Sequence, residues 1–259
     1  MDDRAWLKLR SKSNRKRDRI NMICVDIIFE SKSFSELAVW NHIFNVLLKQ
    51  ESFTPELKLN GRKTNCRKLG SLISSKTGFI VEGENFEVDS TLIGRFNIGR
   101  VEICWDPQRV VINPRDWVMP FIGEKGFVQA WVYNRDYIHW QNAEDPLEYE
   151  CAGKSVDGLK MKSNGLPPPL QMSVVDVSDN PGRVLLKSGY VEAVASTMWV
   201  SEKLANRTGF AMQELKNESW FSVVPLSDEV YELEFSTNIF EPNDGTDNLQ
   251  RSIRKLLFR

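Results

Sequence analysis

Residues 131–145 read WVYNRDYIHWQNAED. Two tryptophans, two tyrosines and one of only two histidines in the chain fall within this stretch. Taken with the four residues before it, the segment reads as FVQAWVY, a turn at Asn134-Arg135-Asp136, and YIHWQN, the pattern of an antiparallel hairpin. Alternation puts Trp131 and Tyr133 on one face of the first strand and Tyr137 and His139 on one face of the second, with Trp140 turned the other way. Aromatic groups alternating with aliphatic ones also suit a core. The segment that follows, QNAEDPLEYE, is acidic and turn-like. Rings beside carboxylates fit a docking face for a basic protein, so the expected contact residues are Trp131, Tyr133, Asp136, Tyr137, Trp140, Glu144, Asp145, Glu148 and Glu150. A catalytic His139 assisted by Asp136 or Glu144 is the competing reading.

Upstream, the chain reads as strands. GRVEICWDPQRVVINP predicts a hairpin turning at Asp106-Pro107-Gln108, and TGFIVEGENFEV predicts another turning at Glu82-Gly83-Glu84-Asn85. MICVDIIF, residues 22–29, is apolar on both faces and suits a buried strand. After it, Ser33 and Glu36 form an S-x-x-E capping box that predicts a helix from near Phe34. Its apolar stripe is Phe34, Leu37, Trp40, Ile43, Phe44, Leu47 and Leu48. His42 lies off that stripe. Pro55 and Asn60-Gly61 then break the chain.

Downstream of Cys151 the texture changes. GKSVDGLKMKSNGLPPPL has three glycines and three consecutive prolines and reads as a linker or a long surface loop. Beyond it come a strand QMSVVDVS, a short helix capped by Ser201 and stopped by Gly209, strands WFSVVPLS and EVYELEFS, and a final helix with Leu249, Ile253, Leu256 and Leu257 as its stripe. The expectation is an α+β fold of mainly antiparallel sheets with a few packed helices, in two loosely separated halves. The divisions are a basic tail 1–21, an N-terminal domain 22–152, a linker 153–170 and a C-terminal domain 171–259.

The net charge of −1 hides an asymmetry. Residues 1–19 carry +5 and residues 251–259 carry +4, which leaves −10 on the rest. Such a body attracts a basic partner and repels nucleic acid, which finds a foothold only on the basic N-terminal tail. Met22 stands directly before the first strand, so translation from Met22 would leave residues 1–21 as upstream sequence. No apolar run is long enough to span a bilayer, and the charged start has no apolar signal segment. Cys24, Cys66, Cys104 and Cys151 lie 42, 38 and 47 residues apart, which matches no zinc or compact disulfide framework and points to free thiols in a reducing cytoplasm.

Motifs for chemistry are sparse. Gly153-Lys154-Ser155 copies the tail of a phosphate-binding loop, but Glu148 stands where its first glycine belongs. There is neither a G-x-S-x-G elbow nor a G-x-G-x-x-G fingerprint. Two histidines 97 residues apart make no metal site. No catalytic residue, metal or cofactor is expected.

Three stretches together resemble bacterial immunity proteins of polymorphic or type VI secreted toxins. They are the strand–helix unit MICVDIIFESKSFSELAVWNHIFNVLL, the Trp-rich middle ending in HWQNAEDP, and MWVSEKLANRTGF followed by WFSVVPL. The resemblance spans residues 22–235 and carries over no functional residue, because no motif aligns position by position. It implies a cytoplasmic, non-catalytic protein that binds one toxin domain and blocks it. A carboxylate-dependent hydrolase and an adaptor of a bacterial assembly are the alternatives.

Overall fold

The computed structural model describes residues 22–33, 35–50 and 56–258. The basic tail, Phe34 and Pro55 lie outside them. The architecture is α+β and mainly antiparallel, as the strand and helix patterns predict. Ten strands form one open sheet. In chain order they are β1 (Ile23–Glu30), β2 (Glu56–Leu59), β3 (Arg62–Asn65), β4 (Gly78–Glu82), β5 (Phe86–Ile93), β6 (Ile98–Trp105), β7 (Phe127–Asn134), β12 (Thr197–Ser201), β13 (Ser222–Pro225) and β14 (Val230–Glu234). Their spatial order is β13-β14-β12-β7-β1-β6-β5-β4-β2-β3. Two small hairpins stand apart from it: β8 (Met161–Ser163) with β9 (Ser173–Val175), and β10 (Leu185–Lys187) with β11 (Tyr190–Glu192).

The centre of the sheet is covered on both faces, which is why β1 carries no polar alternation. Val25, Ile27 and Phe29 pack on α1 (Glu36–Leu47), α2 (Cys66–Ile73) and α3 (Pro114–Val118). Cys24 and Ile28 face the opposite way. Their cluster includes residues of α4 (Arg135–Asn142), α6 (Glu202–Thr208), α7 (Met212–Asn217) and α8 (Asp247–Leu257). Gln129, fully buried on β7, acts as a spare peptide group. Its Nε2 donates to the Val191 carbonyl (2.8 Å) and its Oε1 accepts from the Val191 N–H (3.2 Å), which docks β11 without an orphaned polar atom. The composition change at residues 153–170 does not part the molecule. β12 pairs with β7, so the two halves share one sheet and are joined more closely than expected.

Several local expectations change. The segment 127–142 is no hairpin. It is β7 followed by α4, because Asn134 caps a helix instead of turning a strand: its side chain accepts from the Tyr137 N–H at 3.1 Å. The Asp106–Arg109 turn forms, but residues 110–113 do not return alongside β6. Both edges of β6 are already taken, by β1 and β5. The chain enters α3 instead, with Asn113 as cap and Pro114 in the first turn. The cap of α1 is Ser35, not Ser33, and within the stripe Leu37 and Leu48 are exposed. The β4–β5 hairpin and the helix between Ser201 and Gly209 form, but the Ser201 hydroxyl donates to the Val128 carbonyl (2.7 Å) instead of capping the helix.

Cys24 and Cys104 are not free thiols. They face each other across β1 and β6, with Cα atoms 4.1 Å apart, and form a buried disulfide. Cys66 and Cys151 remain free. Among the described residues, no helix is long and apolar enough to cross a membrane.

Candidate interaction surface

Three of the rings expected at a docking face lie in the core. Trp131 and Tyr133 project from β7 into the apolar cluster under α4, where Trp131 is 1% exposed. Tyr137 packs there from α4 itself. Its hydroxyl lies 2.8 Å from Gln250 Nε2 of α8, and burial pushes its pKa up to about 12. These three residues cannot meet a partner while the fold is intact, because β7 is the fourth strand of the sheet and is covered on both faces.

The remaining expected residues gather at the end of α4 and on α5 (Pro146–Cys151), where their charges are mostly engaged within the chain. Asp136 accepts from the Trp140 indole (3.1 Å), and Trp140 packs on Tyr149 with Lys154 over its ring at 4.9 Å. Glu144 pairs with Lys162 (3.1 Å), Asp145 caps α5 through the Leu147 N–H, and Glu148 lies 3.5 Å from His139. Glu150 is exposed. Lys162 also reaches Asp176 (3.3 Å), and Lys160 bridges Asp176 and Asp179. Hydrogen bonds from Ser178 and the charge of Lys162 hold the Asp176 carboxyl well below the usual carboxylate range. The acidic face read from sequence is therefore cross-linked by lysines of the next segment.

That next segment is the feature sequence reading missed. The stretch taken for a linker is largely one arm and the tip of the β8–β9 hairpin. Its root is seated on α5 through Ala143, Tyr149, Val175 and Val177, with the Val175 N–H donating to the Glu144 carbonyl at 2.9 Å. Its tip, residues 164–172, stands in solvent. Leu166 is 50% exposed, Leu170 62% and Met172 55%, and Pro167, Pro168 and Pro169 are exposed beside them. Asn164 fixes the tip with four hydrogen bonds. Its backbone N–H donates to the Met172 carbonyl (2.9 Å) and its Nδ2 to the Leu170 carbonyl (2.9 Å). Its Oδ1 accepts from the N–H groups of Leu166 (3.1 Å) and Met172 (3.2 Å). The sequence did hold a signal for it: residues 163–175 contain no charged side chain in a chain that is 27% charged.

A second polar cluster is internal. Arg100 Nη2 lies 2.8 Å from Asp26 Oδ1 and 3.2 Å from Glu102 Oε1, and Tyr133 donates to Glu102. Burial works against the Arg100 charge, yet Asp26 beside it holds its pKa above the ordinary value. All four side chains are buried. Asp26 and Glu102 are thus two carboxylates held in a buried ion cluster between strands, beside the disulfide.

No known protein family matches the chain, and no curated protein does. Among solved structures it is similar to the Pseudomonas aeruginosa T6SS protein PA0821, with a TM-score of 0.53 and 11% identity over 93% of this chain and 75% of that one. At that identity, what the two chains share is a fold.

Proposed function

We propose that this chain is a non-catalytic binding protein associated with type VI secretion, that it captures one protein partner with the tip of the β8–β9 hairpin, and that the partner is a toxin domain blocked by capture. The observation that carries the reading is the tip itself: an uncharged, apolar loop held open to solvent by Asn164. Exposed apolar groups in a fixed loop cost hydration and gain nothing within the monomer. A preset shape lowers the ordering cost of binding. Burying the exposed parts of Leu166, Leu170 and Met172 would contribute about 3 kcal/mol, or roughly a hundredfold in affinity. The fold likeness to a T6SS protein and the resemblance to immunity proteins support the setting.

The partner is expected to offer an apolar cleft in a basic domain. Residues 77–259 hold eighteen basic and twenty-seven acidic side chains, and that balance speeds capture of a cation-rich surface. The expected cytoplasmic setting follows from the resemblance to immunity proteins and from the reading of all four cysteines as free thiols. With Cys24 and Cys104 joined, an oxidising compartment fits the chemistry better.

Co-expression with the product of the neighbouring gene tests the reading. The expected result is a 1:1 complex and rescue of growth. L166D/L170D/M172D should abolish both while leaving thermal unfolding unchanged. Turnover of a substrate by the purified chain, or a complex indifferent to the triple substitution, would overturn it.

A further inference from the structure

We infer that the open edge of the sheet at β3 receives a second ligand, an extended acidic segment of a protein. β3 closes the ten-strand order and, among the described residues, pairs only with β2, so one side of its backbone donors and acceptors is unused. Around that edge, residues 56–76 hold six basic side chains and one acidic one. Lys58 is half-buried, and Arg62, Lys63, Arg67, Lys68 and Lys76 are exposed. None of the six forms an ion pair among the described residues.

This arrangement works against local stability in two places. Lys58 and Lys63 are directly opposed across β2 and β3, where like charges repel. Arg67 and Lys68 occupy the first turn of α2, which carries no acid, so they sit at the end of the helix that disfavours cations. A surface evolved only for solubility would intersperse acids, as residues 77–250 do.

The chemistry of the edge selects the class of ligand. A row of unused strand N–H and C=O groups is matched in spacing and alternation by another extended peptide backbone. Residues 56–76 contain no aromatic ring on which a base could stack. A long nucleic acid would also run onto the acidic remainder of the molecule, whereas a strand of a few residues would not. The edge lies six strands from β7, about 29 Å at ordinary strand spacing. It shares no residue with the β8–β9 hairpin, which forms a separate sheet, so neither site's failure decides the other.

The test is fluorescence anisotropy with three labelled probes: a peptide of alternating Glu and Val, the same peptide N-methylated on alternate backbone nitrogens, and a single-stranded oligothymidylate of about the same charge. The unmodified peptide should bind, and its affinity should fall at least about tenfold between low and high salt. N-methylation should remove binding, and so should K63E/R67E/K68E. The milder K63Q/R67Q/K68Q should weaken it while circular dichroism stays unchanged, which covers the case in which the charge reversals fail to fold. Equal binding of the methylated peptide would overturn edge pairing. Equal or tighter binding of the oligonucleotide would assign the patch to nucleic acid. No binding of any probe would reduce the cations to a guard against strand-to-strand aggregation.

Discussion

β7 with α4, and the hairpin β8–β9, follow one another closely in the chain and treat large apolar side chains in opposite ways. In the first, Trp131, Tyr133 and Tyr137 are covered by helices on one side and flanked by strands on both edges. In the second, Leu166, Leu170 and Met172 are held away from any cover by a loop that spends four hydrogen bonds on keeping its shape. Ring content marks where the fold is held together. The proposed docking site is marked by ordered apolar exposure without charge.

The sharpest way to break this contrast is to truncate one side chain from each region. Trp131→Ala should cost about 3–5 kcal/mol, read as a lower urea midpoint, because a buried indole leaves a cavity among packed neighbours. Leu170→Ala should change stability by no more than about 0.5 kcal/mol. A comparable loss from Leu170→Ala would mean that the tip packs on something within the chain, and the docking proposal would fall.

The disulfide gives the next largest effect. It joins strands across a sequence separation of 80, and closing such a loop is worth about 4 kcal/mol through the unfolded chain. C24S/C104S should therefore unfold at lower urea, and reductant should add nothing to that variant. Amide exchange at the hairpin tip should be the same in both proteins, since the bond lies between β1 and β6.

What was legible in the residues follows the same division. β1, the β4–β5 hairpin, α6 and the last helix announce themselves through apolar runs, a Gly-Glu-Asn turn, and Ser201 and Gly209 as start and stop signals. These are local signals. α4 was misread because Asn134-Arg135-Asp136 serves equally as a turn and as the start of a helix, and eight residues are too few for periodicity to decide. The Cys24–Cys104 bond depends on the register of two strands some 80 residues apart. The lysines that engage Glu144 and Asp176 arrive from a hairpin whose seat on α5 is set by tertiary packing. Of the expected contact residues, Trp140 and the carboxylates gather around α5 and the hairpin root, whereas Trp131, Tyr133 and Tyr137 are buried in the core.

Asn164 offers a finer cut. Asn164→Ala removes three of the tip's hydrogen bonds while leaving its apolar groups in place. If shape is what the loop contributes, partner affinity should drop about tenfold, at a stability cost near 1 kcal/mol. Unchanged affinity would show that apolar area alone suffices.

The smallest effect sets a carboxyl buried against the sheet, Glu36, against one at the hairpin root, Asp176. Glu36 is buried at the start of α1, where desolvation raises its pKa against the opposing hydrogen bond from Ser90. The folded state therefore prefers the neutral acid. Its contribution is complete below the ordinary glutamate pKa and is lost as pH rises through the raised value. Glu36→Gln should accordingly be at least as stable as the parent at neutral pH and lose that advantage in acid. Asp176, at the hairpin root, has the opposite sign. The bonds from Ser178 and the charge of Lys162 depress its pKa, so its contribution is present above the ordinary aspartate pKa of about 3.9 and is lost as pH falls below it. Acidification should then loosen the hairpin root ahead of the sheet, seen as faster exchange of the Val175 and Asp176 amides while those of β1 stay protected. Exchange that rises together in both regions would mean that hairpin and sheet open as one unit, and the division drawn between them would lose its physical basis.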